Sequence, residues 1–297
     1  MANNNENDII LPKLKDSKES NDGFTHSSKK KKRLKKWVWQ LLIIFFLIIL
    51  ITSAVSILFW LRDNDKTSKV IDDIDEITKI EEVDENLTEL VNEDIDKESD
   101  YWYYIRFPLI DVDISALKEK NADTIGWINV NNTNINYPFV QSNDNEYYLT
   151  HSFDKKYNEA GWVFLDYRNN KDLSSKNNIL YAHSRLDKTM FGTLKKTLKS
   201  DWYQNKDNHI IKISTETENT LWQIFSVYDI PDETYYITTD FSSDLEFETF
   251  LNNIKGRSLY NFNASLTKDD RILTLSTCYS KAKRAVVHAK LIKKSIK

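Results

Sequence analysis

Cys278 is the only cysteine among 297 residues, and it ends the run Arg271-Ile-Leu-Thr-Leu-Ser-Thr-Cys278. Ile272, Thr274, Ser276 and Cys278 alternate with Leu273, Leu275 and Thr277, the period of two expected of a strand with two different faces. One face is apolar until its last member, while the face that carries the thiol grows more polar towards its end. A thiolate there is placed to attack a carbonyl carbon, provided that an acid–base partner and a positive group stand nearby. Arg284 supplies the positive group: it opens a second β-rich run, Ala285 to Ile292, and a hairpin between the runs brings its guanidinium back beside the thiol.

A lone cysteine is most often a small buried hydrophobe, so the acid–base partner matters. Beyond the apolar run described below there are four histidines, His151, His183, His209 and His288. His288 lies inside a strand pattern and His209 at the start of one, where a histidine is structural or solvated. His151 and His183 each follow an apolar-aromatic run and precede a polar turn, and spacing alone does not rank them. One cysteine and scattered histidines match no metal-ligand spacing. The five glycines form no phosphate-cradling loop.

The elements that must position these residues begin far upstream. The net charge of −4 conceals a strong asymmetry. Residues 1–28 are polar with little apolar periodicity, the composition of a disordered tail. Lys29-Lys-Lys-Lys-Arg-Leu-Lys-Lys36 follows, and then Trp37 to Leu61 without a formal charge. That run exceeds the roughly 20 residues needed to cross a bilayer, and Trp37, Trp39 and Trp60 stand at its ends, where indoles favour the interface. It is longer than the apolar core of a signal peptide and lacks its small-residue ending. The basic cluster reads as a topology signal rather than a nucleic-acid contact, so it stays in the cytoplasm and the remainder lies outside. An exported domain with one cysteine has no intrachain disulfide partner, which marks the thiol as reactive.

Asp63 to Asp100 carries sixteen acids against four lysines, yet Val70, Ile74, Ile77, Ile80 (or Val83), Leu87, Leu90 (or Val91) and Ile95 recur every three to four residues. One or two amphipathic helices are expected, forming a stalk whose apolar stripe packs on the domain beyond. Composition changes abruptly at Tyr101-Trp-Tyr-Tyr-Ile105. The expected organisation is a basic tail over 1–36, a transmembrane helix over 37–61, an acidic helical stalk over 62–100 and a folded domain over 101–297. Ile114 and Leu117 suit a short helix. Short strands are expected at 125–130, 135–140, 162–165, 179–181, 209–214, 221–228 and 235–238, with the Cys278 and Val287 strands closing the set. One helix carries Phe191, Leu194 and Leu198. Another starts at Ser243 with Glu246 three residues on and ends at Gly256. The fold class is mainly β, a barrel or sandwich with few helices.

Thr274-Leu-Ser-Thr-Cys278 with Arg284 following resembles the active-site signature of sortases, the membrane-anchored cysteine transpeptidases of Gram-positive bacteria. Asn136-Tyr-Pro-Phe-Val-Gln141, Tyr147-Tyr-Leu-Thr-His151, Ala160 to Asn169, Asn178-Ile-Leu-Tyr-Ala-His183 and Met190-Phe-Gly-Thr-Leu194 resemble class B in particular. The resemblance covers residues 101–297 and implies a closed β-barrel. It implies Cys278 as nucleophile, His183 rather than His151 as acid–base, and Arg284 on the oxyanion. Ser276 would line the groove, and Tyr236 and Ile237 would belong to a substrate-covering loop. It implies no cofactor. The implied partners are surface proteins with a C-terminal sorting signal of Asn-Pro-x-Thr type and a cell-wall amine, or a pilin lysine if the enzyme polymerises pili. The family commonly has Gly and Asn around the histidine, where this chain has Ala182 and Ser184. A rival reading is an inactive, membrane-tethered binding module on the same barrel.

The topology has a direct test. Protease added to intact protoplasts is expected to remove the domain beyond Leu61 and spare the tail; protection of the domain overturns the type II orientation.

Overall fold

A computed structural model describes residues 35–91, 100–231, 233–280 and 283–297, without the side chains of 278–280. The tail 1–28, nearly all of the basic cluster and Ile95 lie outside the described residues. Residues 54–297 form one compact unit and those before it another.

Helix α1, Lys36–Ile77, contains neither glycine nor proline, so nothing interrupts its hydrogen-bond ladder. It holds a window of mean hydropathy 3.1, long and apolar enough to cross a membrane. Past that window the helix joins the compact unit. Ile74 is buried, with Val70, Ile71 and Ile77 packed against the same core, and buried Thr67 accepts a bond from Asn158 Nδ2 at 2.9 Å. The helical part of the apolar stripe, Val70 to Ile77, thus packs on the core, whereas Ile80 and Leu87 are exposed.

The helical reading of 62–100 ends there. Strand β1, Ile80–Glu82, a single 3-10 turn at Glu85–Leu87, and strand β2, Glu89–Leu90, follow. The physical reason is tertiary: the chain meets sheet edges. Helix α2, Tyr101–Tyr104, precedes β3, Ile110–Val112, which pairs with β1. Lys293, whose side chain is 1% exposed, lies 3.0 Å from a carboxylate oxygen of Glu85. The stretch expected as a stalk is thus continuous with the compact unit that holds the barrel.

The barrel strands are β4 (Thr124–Val130), β5 (Asn136–Val140), β6 (Phe164–Leu165), β7 (Asn177–Tyr181), β8 (Ile210–Thr215), β9 (Glu218–Ile230), β10 (Ile272–Ser280) and β11 (Lys283–Ile296). Helix α3, Ile114–Lys120, precedes β4; α4, Ser200–Gln204, precedes β8; and α5, Asp244–Gly256, lies between β9 and β10. The strand order is β10-β7-β6-β5-β4-β8-β9-β11, and a β10–β11 pairing closes it into an eight-stranded barrel with β2 on the side of β11. Closure removes the exposed edges of the sheet.

Alternation along β10 serves two cores. Leu273 and Leu275 join Val287 and Ala289 in the larger core, which fills the barrel and continues under α1 and α3. Ile272 and Val286 face the other way, into a second core with Tyr228, Tyr236, Phe247, Leu251 and Ile254. Helix α5 covers that outer face; Ser243 caps it by accepting from Glu246 N. Two expectations are corrected. Residues 235–238 form no strand but a 3-10 turn, Tyr235–Ile237, capped by Thr238, because side chains of Asn177 and Arg168 take the carbonyls of Tyr236, Ile237 and Thr238 that a strand neighbour would need. The helix carrying Leu194 and Leu198 is a 3-10 segment, Leu194–Leu198, with α4 taking over at Ser200.

Ile74→Ala is expected to cost about 2–5 kcal/mol, the usual range for emptying a buried aliphatic site. A chain beginning at Tyr101 is expected to melt well below one beginning at Ala54. Equal melting temperatures would reduce residues 54–100 to a spacer.

Candidate active site

The site is set by register. Strand β10 runs parallel to β7, with Ile272 opposite Asn177 and Ser276 opposite Tyr181. Thr277 continues the same offset of 95 residues, donating from Oγ1 to Ala182 O at 2.6 Å. One residue further, Cys278 stands level with His183. On its other side β10 is antiparallel to β11, and there the backbone partner of Cys278 is Arg284. Neighbouring strands lie about 5 Å apart. Three separate chain segments therefore bring a cysteine, a histidine and an arginine to one level of the barrel wall.

His183 stands two residues past the end of β7 and is half-buried. Its Nε2 lies 2.8 Å from Leu149 O; a carbonyl only accepts, so Nε2 donates there and Nδ1 is the ring nitrogen outside that bond. Its own carbonyl accepts from Phe191 N at 3.0 Å, and Ser184 bridges to Met190. Gly192 is required here. A Cβ on it would come within 2.5 Å of Arg185 O. Arg185, two residues past the histidine, ion-pairs with Asp187 at 3.1 Å and donates to Asn64 of α1.

A groove of about 360 Å³ opens beside these residues, walled by His183, Arg284, Ser276, Tyr236, Ile237 and Leu149 among others. Tyr236 Oη and Ser276 Oγ are 2.8 Å apart and both residues are buried. All the expected site residues with described side chains thus meet at one groove. His151 does not. It stacks on Tyr147 with ring centroids 4.1 Å apart and bonds Tyr147 O through Nδ1. His209 is buried between Tyr104 and Tyr203 O; burial lowers it to about 4, which keeps it neutral.

Sequence reasoning missed the support beneath the groove. Asp166 is fully buried and receives Arg168 Nε and Nη2 at 2.9 and 2.7 Å, Tyr181 Oη at 3.0 Å and Asn145 Nδ2 at 3.0 Å. Burial alone raises its carboxyl. The bonds from Arg168 and Tyr181 and the arginine's charge outweigh that and hold it below the ordinary carboxylate range. Arg168 Nη2 also donates to Ile237 O at 2.9 Å, tying this pair to the groove wall. The Asp-x-Arg spacing was the available signal. Its meaning depended on Ile237, sixty-nine residues away in sequence.

A closed barrel with a cysteine at a strand end, flanked by histidine and arginine on the neighbouring segments, defines a cysteine acyl-transfer scaffold. The Sortase domain family model matches residues 128–292. The chain is 36% identical over 187 residues to Sortase B of Listeria monocytogenes, covering 61% of this chain and 75% of that protein. The solved sortase B from Bacillus anthracis in complex with AAEK2 is 42% identical, with a TM-score of 0.57 over 61% of this chain and 82% of that one. A Staphylococcus aureus sortase B–substrate complex is 38% identical, with a TM-score of 0.57 over 60% and 84%. The chain belongs to the sortase family, the cysteine transpeptidases, and its similarity is to sortase B.

Thr277→Val removes the bond that holds β10 in register with the segment before His183. The variant is expected to stay folded and lose at least about tenfold in turnover of a sorting-signal peptide, since small misplacements of reacting groups are costly. Unchanged turnover would show that the ladder alone sets the register.

Proposed function

We propose that this chain cleaves a C-terminal sorting signal of Asn-Pro-x-Thr type and transfers the protein to a cell-wall amine, with the catalytic domain outside a membrane crossed by α1. The observation that carries the reading is the backbone placement of Cys278 level with His183 and opposite Arg284, two residues that line the groove. Nδ1 of His183 takes the thiol proton of Cys278, and the resulting thiolate attacks the threonine carbonyl carbon. As the tetrahedral intermediate collapses, the C–N bond breaks, His183 gives a proton to the leaving amine, and a thioester remains. The incoming amine then attacks the thioester, His183 takes its proton, and the Cys278 thiolate leaves. Arg284 stabilises the oxyanion in both steps with planar, permanently charged donors. Ser276, Tyr236 and Ile237 hold the signal. The substrate complex of the Staphylococcus aureus sortase B supports a bound substrate in this role.

The test uses the full chain in detergent. Cys278→Ala is expected to abolish both cleavage and transfer, because no other thiol exists to carry the acyl group. His183→Ala is expected to lose about 10²–10⁴-fold, the usual worth of a general acid–base. Arg284→Lys should lose most activity, and His151→Ala almost none. Cleavage by folded Cys278→Ala, or a dead His151→Ala beside a working His183→Ala, overturns the assignment.

A further inference from the structure

A buried hydrogen-bond circuit runs behind the groove wall and uses a histidine that the chemistry does not. His288 is wholly buried in β11. Its Nδ1 lies 2.8 Å from Thr274 Oγ1 and its Nε2 lies 2.7 Å from Tyr228 Oη. Thr274 Oγ1 also donates to Asn177 Oδ1 at 2.6 Å. Asn177 Nδ2 donates to the carbonyls of Tyr236 and Thr238, at 3.2 and 2.9 Å. At the other end Tyr235 Oη donates to Tyr228 Oη at 3.0 Å.

Only one arrangement of protons satisfies all these bonds. The carbonyls of Tyr236 and Thr238 can only accept, so the Asn177 amide must present its NH₂ to them and its oxygen to Thr274. Thr274 spends its single proton on that oxygen and therefore accepts from His288 Nδ1–H. Burial lowers His288 to about 3, so the ring is neutral and Nε2 accepts the Tyr228 proton. Tyr228 in turn accepts from Tyr235. The circuit leaves the 235–238 turn at Tyr235, crosses the adjacent strands β9, β11, β10 and β7, and returns to the same turn at Tyr236 and Thr238. That turn supplies Tyr236 and Ile237 to the groove.

We propose that His288 is a positioning residue: as a neutral imidazole with its proton on Nδ1, it fixes the groove-lining turn in its peptide-binding shape. The inference rests on the proposed function for the identity of the peptide, but not for the circuit itself. Asn177, Thr274 and Tyr228 act through the same path. None of the circuit side chains lines the groove, so the reacting groups are untouched when it is broken.

The experiment compares wild type with His288→Phe and Tyr228→Phe, which keep the rings and remove the bonds. Ser226→Ala is the control. It loses an equally buried bond, to Ile254 O at 2.6 Å, on the same strand but outside the circuit. Both circuit variants are expected to raise KM for the sorting-signal peptide at least tenfold, with kcat within threefold of wild type. Ser226→Ala should leave KM unchanged. Amides of residues 235–238 should exchange with deuterium at least tenfold faster in the circuit variants only, and nitrogen NMR of wild type should place the His288 proton on Nδ1. Unchanged KM and unchanged exchange overturn the proposal, as does a proton on Nε2. An equal KM rise in Ser226→Ala would assign the effect to general loosening and also overturn it. If wild type cleaves no sorting peptide, the proposed chemistry fails, while exchange and NMR still decide the circuit.

Discussion

Everything in this site depends on the two-sided pairing of β10. Parallel to β7 on one side and antiparallel to β11 on the other, the strand closes the barrel and fixes the level of Cys278 against both neighbours. A slip of one residue would send Leu273 and Leu275 out of the barrel core and Thr274 into it, so hydrophobic burial locks the register. The same apolar contacts that hold the barrel together therefore set the spacing of the histidine, cysteine and arginine segments.

The outer face of β10 is as highly specified as the inner one. Ile272 packs under α5, Thr274 joins the buried polar circuit and Ser276 meets Tyr236. A strand with one face in an apolar core and the other under a polar network offers a groove only where its cover ends. Two independent ties hold that cover: Arg168, anchored by Asp166, grips Ile237 O, and Asn177 grips the carbonyls on either side. Buried polar groups of this kind are costly unless fully partnered, and here the partners come from strands that the barrel has already aligned.

The segment that follows the apolar run belongs to this economy of contacts rather than standing apart from it. Most of its acids among the described residues are exposed, while Thr67, Ile74 and Leu90 meet the barrel or its flanks and Glu85 pairs with Lys293. Asn64 accepts from Arg185, which lies two residues past His183, so α1 touches the loop that carries the histidine. The helix that enters the compact unit from the apolar run thus bears on the site as well as on the core.

The sequence by itself determined the local patterns. Period-two alternation located β10 and β11, the Ser243 cap located α5, and the uncharged run located the apolar part of α1, because each of these signals lies within a few residues of the structure it specifies. It also singled out Cys278 and Arg284, whose separation is one hairpin. Position alone left His151 and His183 tied, and only the motif resemblance chose between them. Tertiary structure alone decided what depends on distant partners. The 95-residue offset sets Cys278 level with His183. The stacking of His151 on Tyr147 keeps it out of the groove. The 235–238 turn is not a strand because side chains from Asn177 and Arg168 occupy its carbonyls, and residues 80–90 leave the helix because sheet edges stand open to them. In each case the deciding group is remote in sequence, and no local pattern records which neighbour a folded chain will offer.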